Sequence, residues 1–133
     1  MASEMANGVP AGLVYSKEHE WVKMDADVAT VGITDYAQAS LGDIVYVELP
    51  RVGAVLTQFG SIGVVESVKA VSDIFTPVGG EVTATNGELD NAPQSVNSDP
   101  YGAGWFYKVK LADMSQLDDL LTPEQYEQLI AEA

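Results

Sequence analysis

Few side chains in this chain are equipped for chemistry. There is no cysteine and only one histidine, His19, which excludes a thiolate nucleophile, a disulfide, a Cys-rich zinc site and paired-histidine acid–base catalysis. No EF-hand spacing gathers the carboxylates into a cation loop. A hydrolase would have to join His19 to Ser67 or Ser72, and no Gly-x-Ser-x-Gly elbow supports that arrangement. Lys69 remains. It is the only basic residue between Arg51 and Lys108, and it lies between two β-forming runs in Val65-Glu66-Ser67-Val68-Lys69-Ala70-Val71-Ser72-Asp73. A hairpin tip with one lysine among small residues, backed by carboxylates, presents an amine to another enzyme. Lysine ammonium is protonated at neutral pH and is a poor nucleophile unaided. Its acylation needs an enzyme that removes the proton and brings an activated acid. Taken alone, such a lysine reads as an ordinary solvated surface residue. The chain either binds something or borrows its chemistry.

The elements that must position this lysine are mostly strands. Trp21 to Met24 and Val28 to Ile33 alternate around a turn at Asp25-Ala26-Asp27. Asp35 and Gln38 have capping-box spacing, and Gly42 stands where a helix should stop, so a short helix of about two turns is expected within Thr34 to Gly42. Ile44 to Leu49, Ser61 to Val68, Glu81 to Thr85 and Trp105 to Lys110 read as strands, with Asn86-Gly87 as a hairpin-type turn. In the tail, Ser115 is expected to cap Leu117 to Leu121, and Thr122-Pro123-Glu124-Gln125 to open a final helix. Pro50-Arg51-Val52-Gly53-Ala54-Val55 and Pro77-Val78-Gly79-Gly80-Glu81-Val82 share Pro-x-x-Gly-x-Val. This echo suits a flattened β-sandwich of two related halves, although Pro and Gly punctuate turns everywhere.

Composition sets the outer limits. The chain has 133 residues, of which 47% are hydrophobic and 20% charged, as expected for one globular domain and not for wholesale disorder. Six Lys+Arg against 20 Asp+Glu give a net charge of −14, which repels phosphate backbones and argues against nucleic acid. The same charge favours basic protein partners and separates copies of the chain, so a monomer is expected. No run approaches the roughly 20 apolar residues of a membrane helix. Residues 1–12 are small and polar, without the basic start of a secretory signal or the Arg-rich amphipathicity of a transit peptide. They read as a flexible segment ahead of one domain over 13–133. The expected location is the bacterial cytoplasm, or the mitochondrial matrix for a processed eukaryotic form.

The residues around Lys69 carry a further signal. Gly63-Val64-Val65-Glu66-Ser67-Val68-Lys69-Ala70 resembles the lipoylation site of the glycine cleavage H-protein family. Glu18-His19-Glu20-Trp21-Val22 is similar to that family's N-terminal signature. Val31 to Gln38, Leu41 to Pro50 and Val96 to Trp105 resemble three further blocks in the family's order. Together they reach from about Leu13 to the final helix. Biotin carrier domains resemble the same fold, but their lysine usually stands between methionines, where this chain has Val68 and Ala70. Lipoyl domains of 2-oxoacid dehydrogenases are shorter and lack the Glu-His-Glu-Trp segment. Tyr36 stands where many family members have histidine, which implies local repacking.

The resemblance implies a lipoyl/biotinyl-domain-like sandwich (a barrel-sandwich hybrid) with a short internal helix and C-terminal helices. It implies a carrier, not a catalyst, with lipoate attached by an amide to Lys69 and Glu66 read by the lipoyl-attaching enzyme. The implied partners are a pyridoxal-phosphate glycine decarboxylase, a tetrahydrofolate-dependent aminomethyltransferase and a dihydrolipoamide dehydrogenase. A labile aminomethyl cargo needs shelter from water and acceptors for its ammonium. By matching positions the groove candidates are Glu20 and Asp73, followed by Glu18 and Thr76. The alternative within the class is a relay of lipoyl groups to other enzymes. His19 is expected to pack or hydrogen-bond at the strand edge, and Trp105 to fill the core.

Overall fold

Alternating apolar residues give each strand one buried face, and the strands pair into antiparallel sheets that bury those faces together. The computed structural model describes residues 5–6 and 9–132. The strands are β1 Met5–Ala6, β2 Val9–Pro10, β3 Val14–Tyr15, β4 Glu20–Asp25, β5 Val28–Ile33, β6 Ile44–Glu48, β7 Val55–Leu56, β8 Ser61–Ser67, β9 Val71–Phe75, β10 Gly80–Thr85 and β11 Tyr107–Leu111. The α-helices are α1 Asp35–Leu41, α2 Ser95–Ser98 and α3 Pro123–Ala131, and short 3₁₀ helices cover Gly87–Asp90 and Met114–Asp119.

One sheet has the order β3-β4-β5-β11-β10-β7, a second has β6-β8-β9, and β1 pairs with β2. Val22, Val31, Val82 and Val109 of the large sheet share one buried cluster with Ile44, Val47, Val65 and Ile74 of the small one. That shared core is the β-sandwich. A second cluster of Val9, Tyr15, Trp21 and Tyr126 seats α3 against the large sheet, with the Tyr15 and Tyr126 rings stacked 4.7 Å apart. Val9 and Pro10 belong to the segment 1–12 read as flexible. In the structure Val9 is buried and Pro10 O accepts from the Tyr15 hydroxyl. Residues 1–4 and 7–8 of that segment lie outside the described residues.

Several local expectations shift by a residue or change kind. Thr34, one residue earlier than expected, caps α1 by accepting from Ala37 N (3.2 Å), while Gln38 Nε2 donates to Asp35 Oδ1 (2.8 Å). The helix does stop at Gly42, whose φ of 83° is a conformation that side chains rarely adopt. Asn86-Gly87 is not a hairpin turn. The buried Asn86 amide donates to Ala103 O and Trp105 O, each 2.8 Å, and its Oδ1 caps the following 3₁₀ turn. The chain is thereby led through α2 before it returns as β11. In the tail the capping residue is Asp113, not Ser115. The carboxylate is the stronger acceptor and takes both the Ser115 N–H (2.9 Å) and the Ser115 hydroxyl (2.7 Å). Trp105 does not fill the core. It is half-buried beside the second cluster, with the Lys108 ammonium 5.5 Å from its ring centroid, and Phe106 and Tyr107 take the core positions. The Pro-x-x-Gly-x-Val echo lies side by side. Val55 pairs with Glu81 and Leu56 with Gly80, and Gly53 N donates to Val82 O (2.8 Å).

Candidate functional site

Strands β8 and β9 form a hairpin whose last pair is Glu66 with Val71. Ser67 builds its tip: Ser67 N donates to Ala70 O (2.8 Å), while Ser67 Oγ accepts from Ala70 N (3.1 Å) and Lys69 N (3.3 Å). A small hydroxyl residue is required here, because one side chain satisfies two turn N–H groups. Val68 N donates to Asp43 O (3.0 Å), which ties the tip to the segment after α1. Lys69 stands exposed between Val68, 70% exposed, and Ala70. The amine is offered outward on a turn that is itself fixed.

A stripe leads away from it. Val71, Asp73 and Phe75 alternate with the inward Ile74 and so share the outer face of β9. From Val71 to Phe75 the strand covers roughly 13 Å at about 3.3 Å per residue. The stripe ends at a cavity of about 670 Å³ lined by Ser16, Lys17, Glu18, Phe59, Phe75 and Asp119. Glu66, cross-strand from both Tyr46 and Val71, stands on this same outer face near the tip.

The groove candidates Glu20, Asp73, Glu18 and Thr76 divide in the structure. Glu18 lines the cavity and Asp73 lies exposed on the path toward it. Glu20 is 2% exposed, beneath the cavity wall. Its carboxyl group accepts from Ser16 Oγ and from Phe75 N (3.3 Å), both residues of the lining. Burial pushes the Glu20 carboxyl up to about 8, against the lowering effect of those two hydrogen bonds. Thr76 is fully buried with its hydroxyl donated to Val78 O (2.6 Å), and it does not line the cavity. Nothing in the sequence marks Phe59, Phe75 and Asp119. Asp119 lies in the tail and Phe59 in a loop, so only the tertiary fold brings them beside Glu18.

The wall carrying Glu18 and Glu20 is held by His19, whose φ is 72°. Its Nδ1 lies 2.8 Å from Tyr126 Oη, which in turn lies 2.7 Å from Thr34 Oγ1, and its ring packs against Tyr36 at 4.9 Å. Burial lowers the imidazole pKa, partly opposed by Glu18, which favours the neutral ring suited to this strut. No group of three or more metal-binding side chains occurs among the described residues. A fixed tip with one free amine, an outward stripe and a sheltered cavity with apolar and acidic walls fit an attached lipoyl group: rings for its hydrocarbon and sulfur, carboxylates for a cationic cargo.

Sandwich and site together define a lipoyl-type carrier domain. The family model described as glycine cleavage H-protein matches residues 13–133. The chain is 54% identical over 124 residues to a glycine cleavage system H protein of Carboxydothermus hydrogenoformans, covering 93% of this chain and 95% of that one. It is 56% identical over 123 residues to one from Neisseria meningitidis serogroup B, with coverages of 92% and 96%. The crystal structure of a glycine cleavage system H protein from Mycobacterium marinum superposes with a TM-score of 0.86 at 36% identity, covering 92% of this chain and 99% of that one. The chain belongs to the glycine cleavage H-protein family, the lipoyl-carrying shuttle of the glycine cleavage system.

Proposed function

We propose that Lys69 is the attachment point, and that the chain carries the aminomethyl group of glycine from the pyridoxal-phosphate decarboxylase to the tetrahydrofolate-dependent aminomethyltransferase. Dihydrolipoamide dehydrogenase then completes the cycle, and the carrier itself catalyses no step. The observation behind this reading is the single exposed amine on a turn fixed by Ser67 and Asp43. A lipoyl group on that nitrogen supplies a disulfide–dithiol couple, which a chain without cysteine lacks.

The chain's own residues do the rest. Ser67 holds the turn so that Lys69 reaches an attaching enzyme, with Glu66 beside it as a recognition carboxylate. Val71 and Phe75 give the arm an apolar track, and Asp73 on that track attracts a positively charged cargo. Inside the cavity Glu18 and Asp119 accept hydrogen bonds from the amine, and Phe59 and Phe75 limit water. Glu20 orders the wall by holding Ser16 and Phe75. No helix among the described residues is long and apolar enough to cross a membrane. On the strength of its bacterial relatives, we place the protein in the bacterial cytoplasm with its partners.

The deciding measurement is intact mass after incubation with a lipoate ligase, lipoate and ATP, beside Lys69→Arg. One lipoyl increment on the parent and none on the variant is the expected result. An unmodified folded parent would mean that the tip does not present its amine to the ligase.

A further inference from the structure

The backbone of Phe59 conflicts with its side chain. Its φ is 68°, in the left-handed region, where a bulky aromatic is a genuine outlier. Gly60, next in the chain, has the freedom to take a positive φ and does not. Such strain persists when the surroundings over-determine it. Here Phe59 N donates to Thr76 O (2.6 Å), Thr76 N donates to Gly60 O (2.9 Å), and Gly60 N closes on Thr57 O (2.9 Å). Gln58 Nε2 adds bonds to Pro77 O and Gln116 O, each 3.1 Å. The strain gains little burial, because Phe59 stays 48% exposed. Folding alone therefore gives no reason for phenylalanine at this position. The cavity does, since the ring lines it together with Phe75.

We propose that Phe59 is an arm-binding residue of the groove, its ring held by the strained loop as the apolar wall for the sulfur-bearing end of the loaded arm. The inference rests on the reading that the arm on Lys69 enters this cavity. The wall opposes two carboxylates, Glu18 and Asp119, which outnumber the one lining cation, Lys17. The groove thus meets both chemistries of the cargo, with rings for the methylenes and thioether sulfur and carboxylates for the amine. An arm without the amine engages the rings alone, so the loaded form is the one retained.

The test uses the lipoylated chain loaded by the decarboxylase from glycine labelled with ¹³C at its α-carbon. Phe59→Gly removes the ring and the conformational conflict together, so the unmodified variant should melt at or above the parent temperature. In the loaded parent, ring currents should displace the ¹³C resonance from its position in the same protein unfolded in urea. Phe59→Gly should return it to the unfolded position and shorten the loaded lifetime roughly two- to ten-fold, the factor that loss of a sulfur–aromatic contact implies. Phe59→Tyr should keep both near parent values. A Phe59→Gly protein with parent-like shift and lifetime overturns the role of Phe59 and leaves the groove reading standing. A parent that already matches its unfolded form in both overturns the groove reading itself. Should Phe59→Gly melt below the parent, Phe59→Leu against Phe59→Tyr carries the same comparison at equal backbone strain.

Discussion

Glu20 shows how one carboxyl can serve the fold and the site with opposite demands. Buried at 2% exposure and held near 8, it keeps its proton in the folded chain at pH values where the unfolded chain has lost it. The folded state binds the proton more tightly, so the stability from this group is fully present below the ordinary carboxyl range. It is lost as pH rises from about 4.5 to about 8, by at most about 1.4 kcal/mol per pH unit. Glu20→Gln keeps an acceptor for the Phe75 N–H without the titration. The melting-temperature difference, parent minus Glu20→Gln, should therefore decline between pH 5 and 8, and a flat difference would count against the buried-acid assignment. Glu20→Ala removes the hold on Ser16 and Phe75 as well. It should shorten the life of the loaded carrier, measured as hydrolysis of the isolated loaded protein, and unchanged hydrolysis would place Glu20 outside the cargo's support.

Among the elements, the β8–β9 hairpin is the one on which presentation of Lys69 depends, and its placement hangs on a close approach. At Gly63, in the register shift of β8, a Cβ would collide with the Glu48 carbonyl oxygen across the β6 pairing. The obstacle is backbone and cannot swing aside. Gly63→Ala should cost at least about 1–3 kcal/mol, the usual range for forced overpacking, and should slow lipoylation of Lys69 by loosening the small sheet. Circular dichroism melts and the mass assay read the two effects separately. At the far end, Thr122→Ala removes the reciprocal cap with Gln125 and should cost about 1 kcal/mol, with α3 loosening first in hydrogen exchange. These elements also show what could be read in advance. Strands β4, β5, β6, β8, β10 and β11 stand within two residues of where the pattern put them, and the α1 stop at Gly42 and the Thr122 cap follow from local rules as well. Asn86 misled because its turn chemistry was used for buried tertiary hydrogen bonds to Ala103 and Trp105. The place of Lys69 at a hairpin tip was legible because such a tip is local. The cavity was not, since Ser16, Phe59, Phe75 and Asp119 converge only through the fold, and the positive φ of Phe59 has no signature in a loop containing a glycine.

At the scale of the whole molecule, a carrier must meet several partners and leave each of them. The net charge of −14 supplies long-range attraction to basic surfaces, a term that mainly raises association rates. The tip supplies the short-range part. Val45, Tyr46, Val68 and Val71 are exposed large apolar residues around Lys69, and Glu48, Glu66 and Asp73 stand among them. Any enzyme acting on the lysine must close over this surface. Charge attracts at a distance and is screened, whereas apolar contact acts only on docking and is not. Affinity for the decarboxylase should therefore weaken steeply as salt rises from about 0.01 M, where the Debye length is about 30 Å, to about 1 M, where it is about 3 Å. The loss should appear mostly in the association rate, with the dissociation rate nearly constant. Val71→Ser should do the opposite, raising dissociation with little change in salt slope. Titration by surface plasmon resonance across that salt range separates the two terms. A salt-independent association rate would mean that the acidic surface only keeps carriers apart, and that partner choice rests on the apolar tip alone.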